Sequence, residues 1–379
     1  MGIFSRVEGS SRKKILLVND CLRSGEVERL MQEFAWKWHI EYDVHIVTYK
    51  FQNDYHAYYP GNVHYYQWDG YYAQGNAMTK HPYNAGSTDL AQKHFDIIIA
   101  MKEGRVMRDA SVLEAPIKLA YVHSDYQTNH HTSEVFDTNE EELECMKKFT
   151  HIICVSNPQR ESLLNVVGDP GNTVVCYSPI DVNDIKKKYM DPIEDPILRK
   201  SDEITRFVVV CKPSELKGFD LLLKACIKLN ENGYADKYEV HILGDYDRHY
   251  NESMYQQLGI KDLPNISYLG RKDNLYPYLA TGDWYLSTSR SEGFSISAQE
   301  AMVFDVPVML TDCVSTREML GDSEYGIVMP IDADGIYEAM ENVITDPSLH
   351  ATYQEKTKQC KKKIRYKEYF ALIEALFHQ

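Results

Sequence analysis

Short apolar runs alternate with stretches of helical spacing along the whole chain. Ile15–Val18 reads as a strand. Behind it Val27, Leu30, Met31, Phe34, Ala35 and Trp38 recur at the three- and four-residue spacing of a helix, with Ser24 placed to cap it. Val44–Thr48, Ile97–Ala100, Ile117–Val122, Ile152–Val155 and Val174–Cys176 continue the strand series. A polar stretch from about 191 to 205, opening Asp191-Pro-Ile-Glu-Asp-Pro, breaks the pattern and reads as a linker. The alternation restarts with a strand at Phe207–Cys211 and a helix marked by Phe219, Leu222, Leu223, Cys226 and Leu229. Further strands are predicted at Val240–Leu243, Ile266–Leu269, Trp284–Leu286 and Val306–Leu310. Strand–helix alternation on both sides of a linker predicts an α/β fold of two doubly wound, parallel-sheet domains, at 1–185 and 200–360. Ligands of such sheets bind beyond the carboxyl ends of the strands, and two such domains leave a cleft between them. The segment 361–379 is predicted helical, with Ile364, Tyr369, Phe370, Ile373 and Phe377 on or near one face.

Composition narrows the partners. A net charge of −15 argues against broad nucleic-acid binding. No run approaches 18 consecutive apolar residues, and Met1–Lys14 lacks an apolar core of the signal-peptide kind, so a cytoplasmic protein is expected. Eight cysteines are scattered without a Cys-x-x-Cys pair, several of them in apolar runs, which fits buried thiols in a reducing compartment. Of 28 tyrosines, many fall between Tyr55 and Tyr83, either as a packed loop and hairpin or as an aromatic surface for an acceptor. The basic start of the last segment, from Lys361, reads as a solvated face or as a peripheral contact with an anionic membrane surface.

The most informative stretch is Arg290-Ser-Glu-Gly-Phe-Ser-Ile-Ser-Ala-Gln-Glu-Ala-Met302. A strand, a small-residue loop and a helix start gather backbone N–H groups at one place, which suits a phosphate. Glu292 in the loop and Glu300 a turn inside the helix would repel phosphate, so they are expected to accept hydrogen bonds from sugar hydroxyls. Lys212 and Lys217, following the strand Phe207–Cys211, could neutralise a departing diphosphate. His123, at the end of Ile117–Val122, is a candidate for substrate hydrogen bonding or proton traffic.

The spacing of Glu292 and Glu300, within Ser-Arg-Ser-Glu-Gly-Phe…Gln-Glu-Ala-Met, resembles the Glu-x7-Glu signature of family-four retaining glycosyltransferases, which have two Rossmann-like domains (the GT-B type). Cys211-Lys212…Lys217-Gly218 is similar to the family's Gly-Arg…Lys-Gly, with Lys212 where Arg is usual; the charge is kept and the bidentate fork is lost. Ser24-Gly25-Glu26-Val27-Glu28-Arg29 resembles its Gly-Gly-x-Glu-Arg loop, with Glu26 in the place of the second Gly. Leu243-Gly244-Asp245, Ile153–Ser156, Ser178–Asp181 and Glu318 also match family segments.

The resemblance implies a metal-independent hexosyltransferase with no cofactor. It would use a nucleoside-diphosphate sugar, a UDP-sugar above all, to extend a glycan, lipid-linked or protein acceptor in cell-envelope or capsular polysaccharide synthesis. It assigns Lys212, Lys217, Glu292 and His123 to catalysis, and Gly25, Gly293, Phe294, Ser295 and Glu300 to the donor. It also implies a C-terminal helix crossing back to the first domain. Three alternatives stay open: a divalent-metal role for Asp245-Tyr-Asp247, a catalytically silent binding subunit suggested by Glu26, and a two-domain epimerase or phosphorylase. Oligomeric state is not legible.

Overall fold

The computed structural model describes residues 12–22, 25–49, 59–67, 71–74, 77–80, 90, 93–192, 203–362 and 366–378. They form two sheets. The first has nine strands: β1 (Lys14–Val18), β2 (Asp43–Thr48), β3 (His64–Gln67), β4 (Tyr71–Gln74), β5 (Ala77–Lys80), β6 (Ile97–Ala100), β7 (Ile117–Val122), β8 (His151–Cys154) and β9 (Thr173–Val175). Their order is β5-β4-β3-β2-β1-β6-β7-β8-β9. All neighbours are parallel except β3–β4 and β4–β5, which are antiparallel. The second sheet, all parallel, holds β10 (Thr205–Val210), β11 (Tyr238–Leu243), β12 (Ile266–Gly270), β13 (Trp284–Ser287), β14 (Val308–Thr311) and β15 (Ile327–Met329) in the order β12-β11-β10-β13-β14-β15.

The central strands are largely apolar, and β1, β6, β8 and β11 are buried almost end to end, β11 including Glu239 and His241. Each sheet reverses its winding once. In the first the reversal lies between β1 and β6, and in the second between β10 and β13. Such switch points open crevices at the carboxyl ends of the strands.

Two boundaries differ from the sequence reading. The first helix, Glu26–Trp38, has Gly25 as its N-cap with no side-chain cap bond; Ser24, expected as the cap, lies outside the described residues. The tyrosine-rich region contributes three strands rather than one hairpin; parts of it and of the expected linker lie outside the described residues.

The chain passes between the domains twice. Cys360 is buried in the core of the second domain, whereas Phe370, Ile373 and Phe377 lie in the core of the first, against Phe34 and Trp38. The helix Val182–Tyr189 lies on the other connection; its Ile185 packs with Tyr276, Ile296 and Val303 of the second domain.

Candidate functional site

The neighbouring switch-point strands β10 and β13, paired through Phe207–Trp284 and Val208–Tyr285, end beside one another. Lys212 and Lys217 follow β10; Glu292 to Ser295 follow β13. The two loops are riveted together. Thr288 Oγ1 donates to the carbonyls of Lys217 and Gly218 at 3.1 and 3.2 Å, and the Arg290 amide donates to the Leu216 carbonyl at 2.8 Å. Arg290 also grips Asp220 with both terminal nitrogens, at 2.6 and 2.8 Å. Gly218 has φ +61° and lies so close to Thr288 that a Cβ would meet its carbonyl oxygen at 1.8 Å, so this turn requires glycine.

Lys217 Nζ donates to Glu292 Oε2 at 2.7 Å. Burial alone would depress the lysine, but the carboxylates of Glu292 and Glu26 more than reverse this and hold it well above its ordinary value. Glu292 is itself raised, by burial first and then by Glu26, whose carboxyl group lies within hydrogen-bonding reach; Lys217 opposes the rise. Glu26, the departure noted in the first-helix loop, therefore faces the cleft and also accepts from Ser297 Oγ at 3.3 Å. Lys212 is exposed and, among the described residues, makes no ion pair.

The helix Ile296–Val303 begins here, capped by Ser295, whose Oγ accepts from the Ala298 amide at 3.3 Å. Gly293 is pressed against the other domain, where a Cβ would meet the His123 carbonyl oxygen at 1.8 Å. Ser156 Oγ donates to the Gly293 carbonyl at 3.3 Å, and Phe294 packs on Tyr177 at 4.9 Å between ring centroids. The His123 ring stacks on Tyr121, and its Nε2 lies 2.9 Å from the Met101 carbonyl. A carbonyl only accepts, so Nε2 carries the proton and Nδ1 is the acceptor left to a substrate. Burial lowers the pKa of this histidine, which favours that neutral form.

Glu300 sits deeper than expected for a residue reaching solely toward ligand. Its Oε1 accepts from the Tyr276 hydroxyl at 3.2 Å and its Oε2 lies 3.2 Å from Arg29 of the first domain. Arg29 also donates to Ser297 Oγ at 3.1 Å. Glu300, Tyr276 and Arg29 wall a pocket with Arg271, Lys272 and Leu275, enclosing about 790 Å³ with its open mouth. A larger adjoining cleft of about 1020 Å³, likewise open to solvent, is lined by Gly25, Glu26, Lys102, Lys212, Lys217 and Ser297 among others. Gly25 lines this cleft, and a Cβ there would meet the end of the Glu28 side chain, Oε2, at 2.3 Å. Both spaces suit a nucleotide-sized ligand.

Sequence reasoning missed Arg29 as a bridge, although its position in the first-helix motif was a signal. It also missed the latch made by Glu318. That carboxylate accepts from the Asn157 amide at 3.0 Å, from Asn157 Nδ2 at 2.6 Å and from the Tyr177 hydroxyl at 2.6 Å, across the domain boundary. Of the Asp245–Asp247 pair, Asp247 caps the helix Arg248–Gln257, accepting from the Tyr250 amide, whereas Asp245 is exposed on the cleft wall.

Several known proteins are similar to this chain. Residues 205–346 match the family described as Glycosyl transferases group 1. A Campylobacter jejuni N-acetylgalactosamine-N,N'-diacetylbacillosaminyl-diphospho-undecaprenol 4-alpha-N-acetylgalactosaminyltransferase is 25% identical over 193 residues, 50% of this chain and 49% of that protein. An uncharacterized 41.2 kDa protein of the Klebsiella pneumoniae cps region is 31% identical over 129 residues, 33% of each chain. The chain thus spans about half, or a third, of the length of the curated relatives it matches. Among solved structures, Anabaena HepE in complex with UDP and glucose superposes with a TM-score of 0.69 at 15% identity, covering 96% of this chain and 99% of that one. A point mutant of S. aureus TarM, in complex with UDP and other ligands, gives 0.73 at 12% identity, covering 97% and 100%. The lipopolysaccharide glycosyltransferase WaaG gives 0.63 at 13%, covering 96% and 98%. No helix among the described residues is long and apolar enough to cross a membrane. Residues 205–346, the bulk of the second domain, are thus similar to the glycosyl transferases group 1 family, and the chain as a whole shares the fold of these solved glycosyltransferase structures, two Rossmann-like sheets of mostly parallel strands.

Proposed function

We propose that the protein is a retaining glycosyltransferase that moves a hexose-type sugar from a UDP-sugar to a glycan, lipid-linked or protein acceptor of a cell-envelope or capsular polysaccharide. The observation that carries this reading is the meeting of Lys212, Lys217, Glu292 and the amino end of the helix Ile296–Val303 at one switch point, facing the first domain. The diphosphate lies on the two lysines and on the N–H groups from Gly293 to Ser295, which stabilise the charge that develops as it leaves. Glu292 hydrogen-bonds donor-sugar hydroxyls. Glu300, oriented by Tyr276 and Arg29, accepts from the ribose, while the pocket beside Arg271, Lys272 and Leu275 receives the base. His123 offers Nδ1 to the sugar. The acceptor enters from the first domain on the face the diphosphate leaves, and a phosphate oxygen takes its proton. Retention is supported by the Glu-x7-Glu resemblance.

A panel of nucleotide sugars tested for protection against thermal unfolding examines the donor. A ligand at 100 times its Kd adds about 2.7 kcal/mol. Stabilisation by UDP and one UDP-sugar, followed by NMR of the product anomer, supports the reading. Absence of any nucleotide-dependent shift removes it.

A further inference from the structure

The strand ends away from the cleft carry a second cluster. Asp43 and His45 lie two residues apart on β2 and so share one face of the sheet. His64, the first residue of β3, is the direct partner of His45 in the parallel ladder and points to the same face. The backbone register alone therefore brings a carboxylate and two imidazoles together. His45 Nε2 lies 3.2 Å from Asp43 Oδ2, and His64 Nε2 lies 3.2 Å from Asp43 Oδ1. One ligand atom from each of the three residues falls within 4.8 Å of the other two.

Zinc binds imidazole nitrogen and carboxylate oxygen at about 2.0–2.2 Å in tetrahedral sites, which sets neighbouring ligand atoms about 3.3 Å apart. The two nitrogen–oxygen separations are already near that edge length. His45 is 5% exposed, and its Nε2 is fully enclosed yet makes no aligned hydrogen bond, despite the nearby carboxylate. The other ring nitrogen, Nδ1, lies 3.0 Å from the Tyr66 hydroxyl, and the ring edge packs on Phe95. A histidine held at Nδ1 by an outer hydrogen bond, with Nε2 directed inward, is oriented as metal-binding histidines are. Asp43 and His64 keep 23% and 20% of their side chains exposed, which leaves an entry path and a fourth position for water.

We propose that Asp43, His45 and His64 bind one zinc ion in a site separate from the transfer cleft. The donor set, two imidazoles and a carboxylate, suits zinc rather than magnesium or calcium. The ion joins β2 to β3, and β3 carries the antiparallel extension β4–β5, so zinc secures the outer part of the first sheet.

The full chain, stripped with a chelator, is titrated with zinc chloride by calorimetry and by thermal unfolding, alongside His64→Ala and Asp43→Asn. One equivalent is expected to bind and to raise the midpoint. Loss of an outer-shell partner typically costs 10–100-fold in metal affinity, so loss of a direct ligand should cost about 100-fold or more. Cobalt chloride, added to the wild-type chain, reports geometry without relying on either variant; visible bands of four-coordinate intensity are expected. Absence of saturable one-equivalent binding, equal affinity in His64→Ala, or a weak six-coordinate cobalt spectrum would each overturn the site.

Discussion

Arg29 and Glu300 meet 3.2 Å apart, one from each domain, and both are withdrawn from solvent. Burial works against both charges: it lowers the arginine and raises the carboxyl, and the pairing opposes each shift. Removing one member of such a pair strands the other. Arg29→Met is therefore expected to cost about 3 kcal/mol or more in stability. The double variant Arg29→Met/Glu300→Gln should recover part of that loss. A coupling of about 1–3 kcal/mol in the double-mutant cycle, from denaturant unfolding, is the predicted outcome, and strict additivity would contradict the pairing.

Lys217→Ala is predicted to lower kcat about 100-fold or more, the usual consequence of losing one group that stabilises a developing charge. It also leaves Glu292 without its 2.7 Å partner. Adding Glu292→Gln should restore thermal stability but not transfer, which separates a catalytic role from a structural one. Transfer within about threefold of wild type in Lys217→Ala would contradict the assigned role.

Gly293→Ala drives a methyl group into the His123 carbonyl. If the nucleotide stands mainly on the second domain, as proposed, UDP affinity should change by less than about tenfold. The acceptor side is displaced, and misplacement of about 1 Å costs on the order of 100-fold in rate. Calorimetry and initial rates on the same preparation test the split; equal loss in both would place the glycine's role elsewhere.

Glu33, on the first helix and on the wall of the pocket beside Arg271 and Leu275, is raised from 4.5 to about 7, chiefly by burial, with Lys188 opposing and Asp184, Asp181 and Glu300 adding to the rise. The folded protein keeps this proton where the unfolded chain has lost it. The associated stability is present in full below pH 4.5 and is lost as the pH climbs through 7. Glu33→Gln should therefore gain about 2 kcal/mol relative to wild type between pH 5 and pH 8. Denaturant midpoints at the two pH values decide; a constant difference would refute the assignment.

The strand-end positions of Lys212, Lys217, His123 and Glu292, and the place of Glu300 a turn inside the next helix, were legible because alternation of apolar strands with helices fixes where each loop begins. Their partners were not. Arg29 reaches Ser297 over a separation of 268 residues, and Glu318 reaches Asn157 over 161, so only the packing of one domain on the other reveals these contacts. The strands β3 to β5 escaped because each has four residues, several of them tyrosine or polar, without the long apolar run that marked the central strands. Asp43, His45 and His64 escaped for a related reason: pairing of β2 with β3 is a property of the sheet, invisible in residue spacing.

Two covalent crossings join the domains, one between Cys176 of the first core and β10 of the second sheet, the other between Cys360 and Phe370, and the aromatic end of the chain is anchored in the first core. A single tether would act as a swivel and leave three rotations free. A pair of tethers works as a door hinge: the easy motion is rotation about the line joining them, and twisting is resisted. Loading and release of substrate would then follow one path, and cutting the chain between 362 and 366 would free the remaining rotations without disturbing either sheet.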